Sequence, residues 1–323
     1  MQDNSRKKVD ALLLLAKTAI GDRRRRSWPV LLAMLAVLLI FLTVIASLFL
    51  RSSGLPDLIL AAFDTVALPN EIVTVAARLE PREQPFADVR LAGLPLYFQE
   101  SKSPELLGKV ATNADGLATL EPRFPEQPHP LEIIVRFPGE ENRRKSAEAR
   151  GRVFIWPAAT QVLVIDADHV LANVDEPKFW ATNNLDVRSL PGAAQVLQKA
   201  RSKFRVVYLS GGADRVPRYN KLLAWLQRTA PASEQFPEGP LLAPASQPAV
   251  DRATFERETL KHLRVSFAGT VVGIAGRAEE SEIFQQAGLK TWQLGGSGDV
   301  LARARNAAHQ VATSTRATAC SPR

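Results

Sequence analysis

The sequence predicts an α/β protein: a doubly wound parallel sheet without a large cap, set behind an N-terminal transmembrane helix and an all-β sandwich domain. Three observations carry that expectation. Short apolar runs alternate with amphipathic stretches of helical length between residues 160 and 296. Strand-like runs with turn punctuation recur between 58 and 156. Trp28 to Leu50 is an unbroken uncharged run. At 323 residues and 46% hydrophobic content, the chain has material for more than one core.

Residues 1–27 form a basic leader. Its eight Lys/Arg stand against three Asp, so +5 of the net charge of +8 falls there and only +3 is left for the rest. Arg23, Arg24, Arg25 and Arg26 directly precede the apolar run, and after it Arg51 is the sole basic residue before Arg78. At about 1.5 Å per residue, a helix over 28–50 spans a hydrocarbon core of about 30 Å. The charge asymmetry then predicts a single pass through the cytoplasmic membrane. The leader would be cytoplasmic and everything after Leu50 outside, in the periplasm if the cell is Gram-negative.

A cleaved secretory signal ending at Val44-Ile45-Ala46 is the alternative, but such apolar regions run to about 7–15 residues. Leu12 to Leu15 suit either an amphipathic helix on the inner leaflet or a solvated tail. A charge gathered before a membrane segment matches anionic lipid, and nucleic-acid binding is not expected. The one cysteine, Cys320, leaves no intramolecular disulfide.

After Ser52-Ser53-Gly54, strands are expected at Ile72–Leu79, Leu94–Phe98, Lys109–Thr112, Leu117–Leu120, Leu131–Phe137 and Arg152–Trp156. Asn113-Ala114-Asp115-Gly116 is a hairpin signal, with Gly116 free to take a positive φ. Pro122, Pro125, Pro128 and Pro130 interrupt the pattern, as in a β-sandwich over 58–156. The run Gly108 to Ala118 resembles the strand–turn–strand signature of bacterial immunoglobulin-like domains. That resemblance implies a spacer or contact module, through which a protein partner would dock. No cluster of acids, histidines or nucleophiles marks this segment, and Glu140 to Lys145 suits a solvated loop.

From Gln161 the pattern becomes βα. Val162-Leu163-Val164-Ile165 is an apolar run suited to a strand buried on both faces, and it ends in Asp166-Ala167-Asp168. In an extended segment, side chains at i and i+2 point the same way, so both carboxylates would face one site at the strand's carboxyl end. Two anions so placed repel unless they share a cation, and a hard ion such as Mg²⁺ suits them.

Further elements are expected as a helix at Gly192–Arg201, a strand at Arg205–Leu209 ending in Ser210-Gly211-Gly212, and a helix over Tyr219–Arg228. A short apolar piece, Leu241–Ala243, precedes a helix over Asp251–Leu263. A strand at Thr270–Ile274, a helix near Ser281–Ala287 and a last strand at Thr291–Leu294 complete the α/β pattern. Residues 297–323 read as a mostly disordered tail with a short initial helix.

The order of Asp166, Asp168, Ser210 and the pair Glu279–Glu280 on successive strand ends resembles the haloacid dehalogenase superfamily of phosphotransferases. Tyr208-Leu209-Ser210, Trp225-Leu226 and Phe236 to Leu242 are similar to its lipin-like phosphatidate phosphatases, as is Gly273 to Glu280 followed by Ile283-Phe284 and Ala287-Gly288-Leu289. The resemblance implies hydrolysis of a phosphate monoester through an aspartyl-phosphate. Asp166 would be the nucleophile and Asp168 the proton shuttle. Ser210, Gly211 and Gly212 would bind the phosphate, and Mg²⁺ would be held by Asp166, the Ala167 carbonyl and Glu280.

With only about 22 residues between Asp168 and the next expected helix, the site would admit a lipid or macromolecular phosphate. The chain departs from the family at His169, at Glu256, where a Lys is expected, and at Glu280, which replaces Asp. Arg252, Arg257 and Lys261 are the candidate replacements for that Lys. A degenerate member acting as a binding or scaffold module at the cell envelope is the alternative.

Overall fold

A computed structural model describes residues 33–43, 57–82, 90–140, 144–228, 230–231, 234–247 and 250–293. Residues 33–43 form helix α1, in a unit that ends at Leu55; the second compact unit runs from Pro56 onward. Among the described residues no helix is long and apolar enough to cross a membrane.

The transmembrane helix expected over 28–50 is therefore corrected. So is the localisation built on it: single-pass in the cytoplasmic membrane, N-terminus inside, later domains outside. The leader 1–27, the flanks of the apolar run and the tail 297–323 with Cys320 lie outside the described residues.

The second unit begins with eight strands: β1 (Leu58–Ala62), β2 (Thr65–Ala67), β3 (Val75–Pro81), β4 (Pro95–Glu100), β5 (Leu106–Ala111), β6 (Leu117–Leu120), β7 (Leu131–Phe137) and β8 (Ala147–Ile155). They form a three-stranded sheet, β1-β3-β6, and a five-stranded sheet, β2-β8-β7-β4-β5. All pairings are antiparallel except β2 with β8. Leu60, Ala77 and Leu79 of the first sheet meet Leu96, Phe98, Val135 and Val153 of the second in one core.

The Asn113–Gly116 turn forms, with Asn113 Oδ1 accepting from the amides of Asp115 and Leu117 at 2.9 Å. Gly116 has φ +73°, and a Cβ there would lie 2.2 Å from the Leu79 carbonyl oxygen. This turn carries the chain from one sheet to the other and does not close a hairpin.

The remaining elements are β9 (Val162–Asp166), α2 (Ala167–Val170), α3 (Glu176–Ala181), α4 (Ala193–Ala200), β10 (Arg205–Leu209), α5 (Val216–Leu226), β11 (Leu241–Leu242), a 3-10 turn (Pro244–Ser246), α6 (Arg252–Ser266), β12 (Val271–Ala275), α7 (Ala278–Gln286) and β13 (Lys290–Gln293). The strands pair in parallel in the order β11-β10-β9-β12-β13. Every residue of β9 is buried, which is why its run lacks polar alternation. Leu163 and Ile165 face a core with Leu197, Leu222 and Trp225, and Val162 and Val164 face one with Phe255, Leu263 and Phe284.

The expected class, a doubly wound parallel α/β fold with a separate β sandwich, is corrected as well. The described residues form antiparallel, mixed and parallel sheets within one compact unit, a mixed architecture. The physical reason lies in β1 and β3, whose two faces are both covered. Leu58, Leu60 and Ala62 point into the β core, while Ala61, Phe63 and Ala76 join the core of Ile165 and Tyr219. Reading residues 160–296 by themselves hides this third layer.

Candidate functional site

The central strand β9 delivers Asp166 to its carboxyl edge, and the chain turns at once into α2, for which Asp166 is the N-cap. Its Oδ1 accepts from the Asp168 amide at 3.1 Å, and its Oδ2 from the Gly276 amide at 3.0 Å, just past β12. His169 Nδ1 lies 3.0 Å from Oδ2. Only glycine allows this approach at position 276, since a Cβ there would fall 2.2 Å from that of His169.

Asp168 shares the site because α2 winds it round, not because the segment is extended. It is buried; Ser210 Oγ donates to Oδ1 at 2.6 Å and the Gly212 amide to Oδ2 at 2.8 Å. Burial first, and the Asp166 charge second, push its carboxyl up to about 6, against the pull of Ser210, Arg252 and Gly212.

Two arginines and three glutamates complete the cluster. Arg252 opens α6 and reaches four carboxylates: Glu256 Oε1 at 3.0 Å, Glu176 Oε2 at 3.3 Å, Glu280 Oε1 at 3.3 Å and Asp168 Oδ2 at 3.4 Å. Its guanidinium loses hydration there, yet Asp168, Glu256 and Glu176 hold its pKa above the ordinary value.

Glu256, one turn on, is 3% exposed, and burial pushes it up to about 7 despite Arg252, with help from the charges of Asp166 and Asp168. Burial alone would lower the His169 pKa, but its hydrogen bond to Asp166 and the charges of Asp166, Asp168 and Glu280 raise it. Glu176 is raised by burial and lowered further by Trp180, Arg252 and His169, ending below its ordinary range. Arg277 pairs with Glu176 at 3.3 Å and Glu280 at 3.5 Å and touches His169.

The expected residues Asp166, Asp168, Ser210, Gly212 and Glu280 thus converge, and Gly211 packs beside them. Their partnerships differ from those expected. Ser210 and Gly212 spend their donors on Asp168, and the space beside both glycines is filled. A Cβ at Gly211 would lie 2.2 Å from Glu256 Oε1, and one at Gly212 would lie 2.3 Å from Glu176 Oε1. Ala167 takes the first position of α2, where a carbonyl points down the helix and away from its capped end.

Of the three candidate cations on α6, Arg252 enters the site. Sequence reasoning treated it as one charge among several on a helix; the signal was its position at the start of α6, four residues before the misplaced Glu256. Glu176 carried no sequence signal, because α3 belongs to no motif.

The donor set has the make-up of a metal site, two carboxylates and an imidazole. Asp166, Asp168 and His169 bring ligand atoms within 4.8 Å of one another. Five carboxylates face two guanidiniums, and Glu280 Oε2 and Glu256 Oε2 are buried oxygens without a hydrogen-bond partner.

No family model and no curated protein matches the chain. Among solved structures, a superoxide reductase (neelaredoxin) from Ignicoccus hospitalis is similar at 15% identity and a TM-score of 0.22, over 32% of this chain and 85% of that one. Titin domains z1z2 in complex with telethonin give 10% identity and 0.21, over 35% and 55% of the two chains. A 2,6-sialyltransferase from Photobacterium sp. JT-ISH-224 gives 9% and 0.21, over 68% and 36%. Similarities at this level carry no argument for the fold or the site.

Proposed function

We propose that the site hydrolyses a phosphate monoester through an aspartyl-phosphate, in the manner of the haloacid dehalogenase superfamily. The observation that supports this reading best is the pair of Asp166 and buried Asp168 on the edge of β9, with the Arg252 guanidinium 3.4 Å from Asp168 and 3.3 Å from Glu280. That guanidinium supplies the positive charge that Glu256 cannot. Glu256 instead orients it through Oε1 at 3.0 Å.

An Asp166 oxygen attacks phosphorus, the bond from phosphorus to the leaving oxygen breaks, and that oxygen takes a proton from Asp168. Water then attacks the phosphorus of the aspartyl-phosphate and gives its proton to Asp168. The bond to Asp166 breaks, phosphate leaves, and both carboxyls are restored. A pKa of about 6 suits Asp168 to both proton transfers near neutrality. Ser210 and the Gly212 amide fix the orientation of Asp168 throughout. A Mg²⁺ ion held by Asp166 and Glu280 would neutralise charge developing on the phosphoryl oxygens. The substrate class is a phosphate monoester, lipid and macromolecular esters included.

The test is turnover of p-nitrophenyl phosphate, phosphatidate and a phosphopeptide by purified protein with Mg²⁺. Activity above an Asp166→Asn control is expected, and its absence with every ester sinks the hydrolase reading. One observation favours the alternative, a degenerate binding or scaffold module: His169 Nδ1 lies 3.0 Å from Asp166 and 3.7 Å from Glu280, between the nucleophile and the metal acid. Calorimetric Mg²⁺ binding without turnover would select that alternative.

A further inference from the structure

The expected phosphate cradle at Ser210–Gly212 is not vacant, and what fills it is a carboxylate. Glu176 Oε1 lies where a Cβ on Gly212 would come within 2.3 Å of it, directly over the loop assigned to phosphate. Four nitrogens converge on this one side chain: Arg252, Arg277 and Trp180 are donors, and His169 Nε2 is one when it carries the ring hydrogen. His169 Nε2, Arg252 Nη1 and Arg277 Nη2 each stand 3.3 Å from Oε2, and Trp180 Nε1 stands 3.3 Å from Oε1.

Charge-assisted bonds are ordinarily about 2.7–2.9 Å. All four contacts are longer, so the two oxygens of a planar carboxylate under-fill a seat lined by four nitrogens. A phosphoryl group offers three oxygens and more charge. The seat also opens to solvent, since the Glu176, Arg252 and Arg277 side chains are 20%, 32% and 46% exposed.

We infer that the Glu176 carboxylate occupies the seat of the substrate's phosphoryl group, and that Arg252, Arg277, His169 and Trp180 receive phosphate when Glu176 rotates out. The inference rests on the phosphatase reading for its substrate. Rotation of one side chain is enough. Helix α3 itself stays pinned by Phe179, which is buried with its ring 5.3 Å from that of Trp225. Glu176 is then an internal competitor of the substrate, and Arg277, which lies within the Gly273–Glu280 run but was given no role there, is a binding residue.

Calorimetric titration of the full chain with inorganic phosphate in magnesium buffer tests this without requiring turnover. Glu176→Ala is expected to bind phosphate at least about tenfold tighter than the unaltered protein, the factor that about 1.4 kcal/mol of released competition gives. Adding Arg277→Ala to that variant is expected to abolish the gain. Glu176→Gln, which keeps the size and the Trp180 contact while losing the charge, is expected to move affinity the same way.

Unchanged or weaker phosphate binding in both Glu176 variants overturns the inference, because it makes Glu176 a tether for the arginines. Failure of both variants to fold does the same. Tighter phosphate binding in Glu176→Ala without ester turnover by the unaltered protein would sink the hydrolase and leave the seat standing.

Discussion

Position 256 is where residue chemistry decides most. A glutamate there sits badly with an anionic substrate when read by itself, but its partner Arg252 turns it into a device for aiming a cation. Arg252→Ala is accordingly expected to lower kcat/KM by about 10²–10³, the usual loss when a charge-stabilising donor is removed from a reaction site. Arg252→Lys should recover part of that loss, because it restores charge without the forked geometry. Steady-state kinetics on one ester would check both.

The raised pKa of Glu256, about 7 against an ordinary 4.5, also has a thermodynamic sign. Between those values the folded chain holds a proton that the unfolded chain has lost. The associated stability is present below about pH 4.5 and disappears as pH rises through about 7. Urea midpoints taken at about pH 5 and about pH 8 should therefore differ less in Glu256→Gln than in the unaltered protein. An equal difference in the two proteins would contradict the assignment.

Asp166, Asp168, Ser210 and Glu280 were legible in the sequence because each follows an apolar run that ends abruptly. Glu176 was not, because a charge on a helix is by default solvated; Arg252 was one of three candidate cations on its helix, and only the fold shows that it is the one that turns inward.

At the scale of elements, the strand pattern was legible wherever one core covered one face. Leu117–Leu120 and Leu131–Phe137 have the bounds their runs predict. Expectation and structure part where two cores cover both faces. β1 and β2 were missed, and β3 carries Arg78 and Glu80 on the side that meets the α/β half, where Arg78 donates to the Gln247 carbonyl and Glu80 pairs with Arg215 at 3.2 Å.

Asp64, between β1 and β2, is the strongest of these ties. It is 3% exposed and accepts from the Arg152 amide at 2.9 Å, Arg152 Nη2 at 2.5 Å and the β11 amide of Leu241 at 3.2 Å. Asp64→Ala would strand a largely buried guanidinium and is expected to cost about 3–5 kcal/mol. A double variant that also replaces Arg152 with Met should lose less than Asp64→Ala alone, because the unpaired charge is gone. Denaturant midpoints would show the order.

For the whole molecule, the consequence is cooperativity. Phe63 packs edge-on against Tyr219 at 4.7 Å, the Asp64 amide donates to the Tyr219 hydroxyl at 2.8 Å, and Asn220 donates to the Leu60 carbonyl at 3.1 Å. On the opposite side of the parallel sheet, Trp156 stands 6.0 Å from Phe267, and Val66 and Phe154 share a core with Val162. The β layers thus cover both faces of the sheet that holds the site, and removing them would expose Ile165's own core at Phe63 and Ala61. Two independent domains would unfold in two steps, whereas one unit sharing these cores should unfold in one.

Among the described residues Trp180, Trp225 and Trp292 report on the α/β half by fluorescence and Trp156 on its boundary with the β layers, and far-UV circular dichroism reports on every strand and helix. The two probes are expected to give coincident urea transitions, and Asp64→Ala to move both together. A fluorescence transition that keeps its midpoint while the dichroism splits would show that the layers fold separately, and that the site does not depend on the strands beneath it.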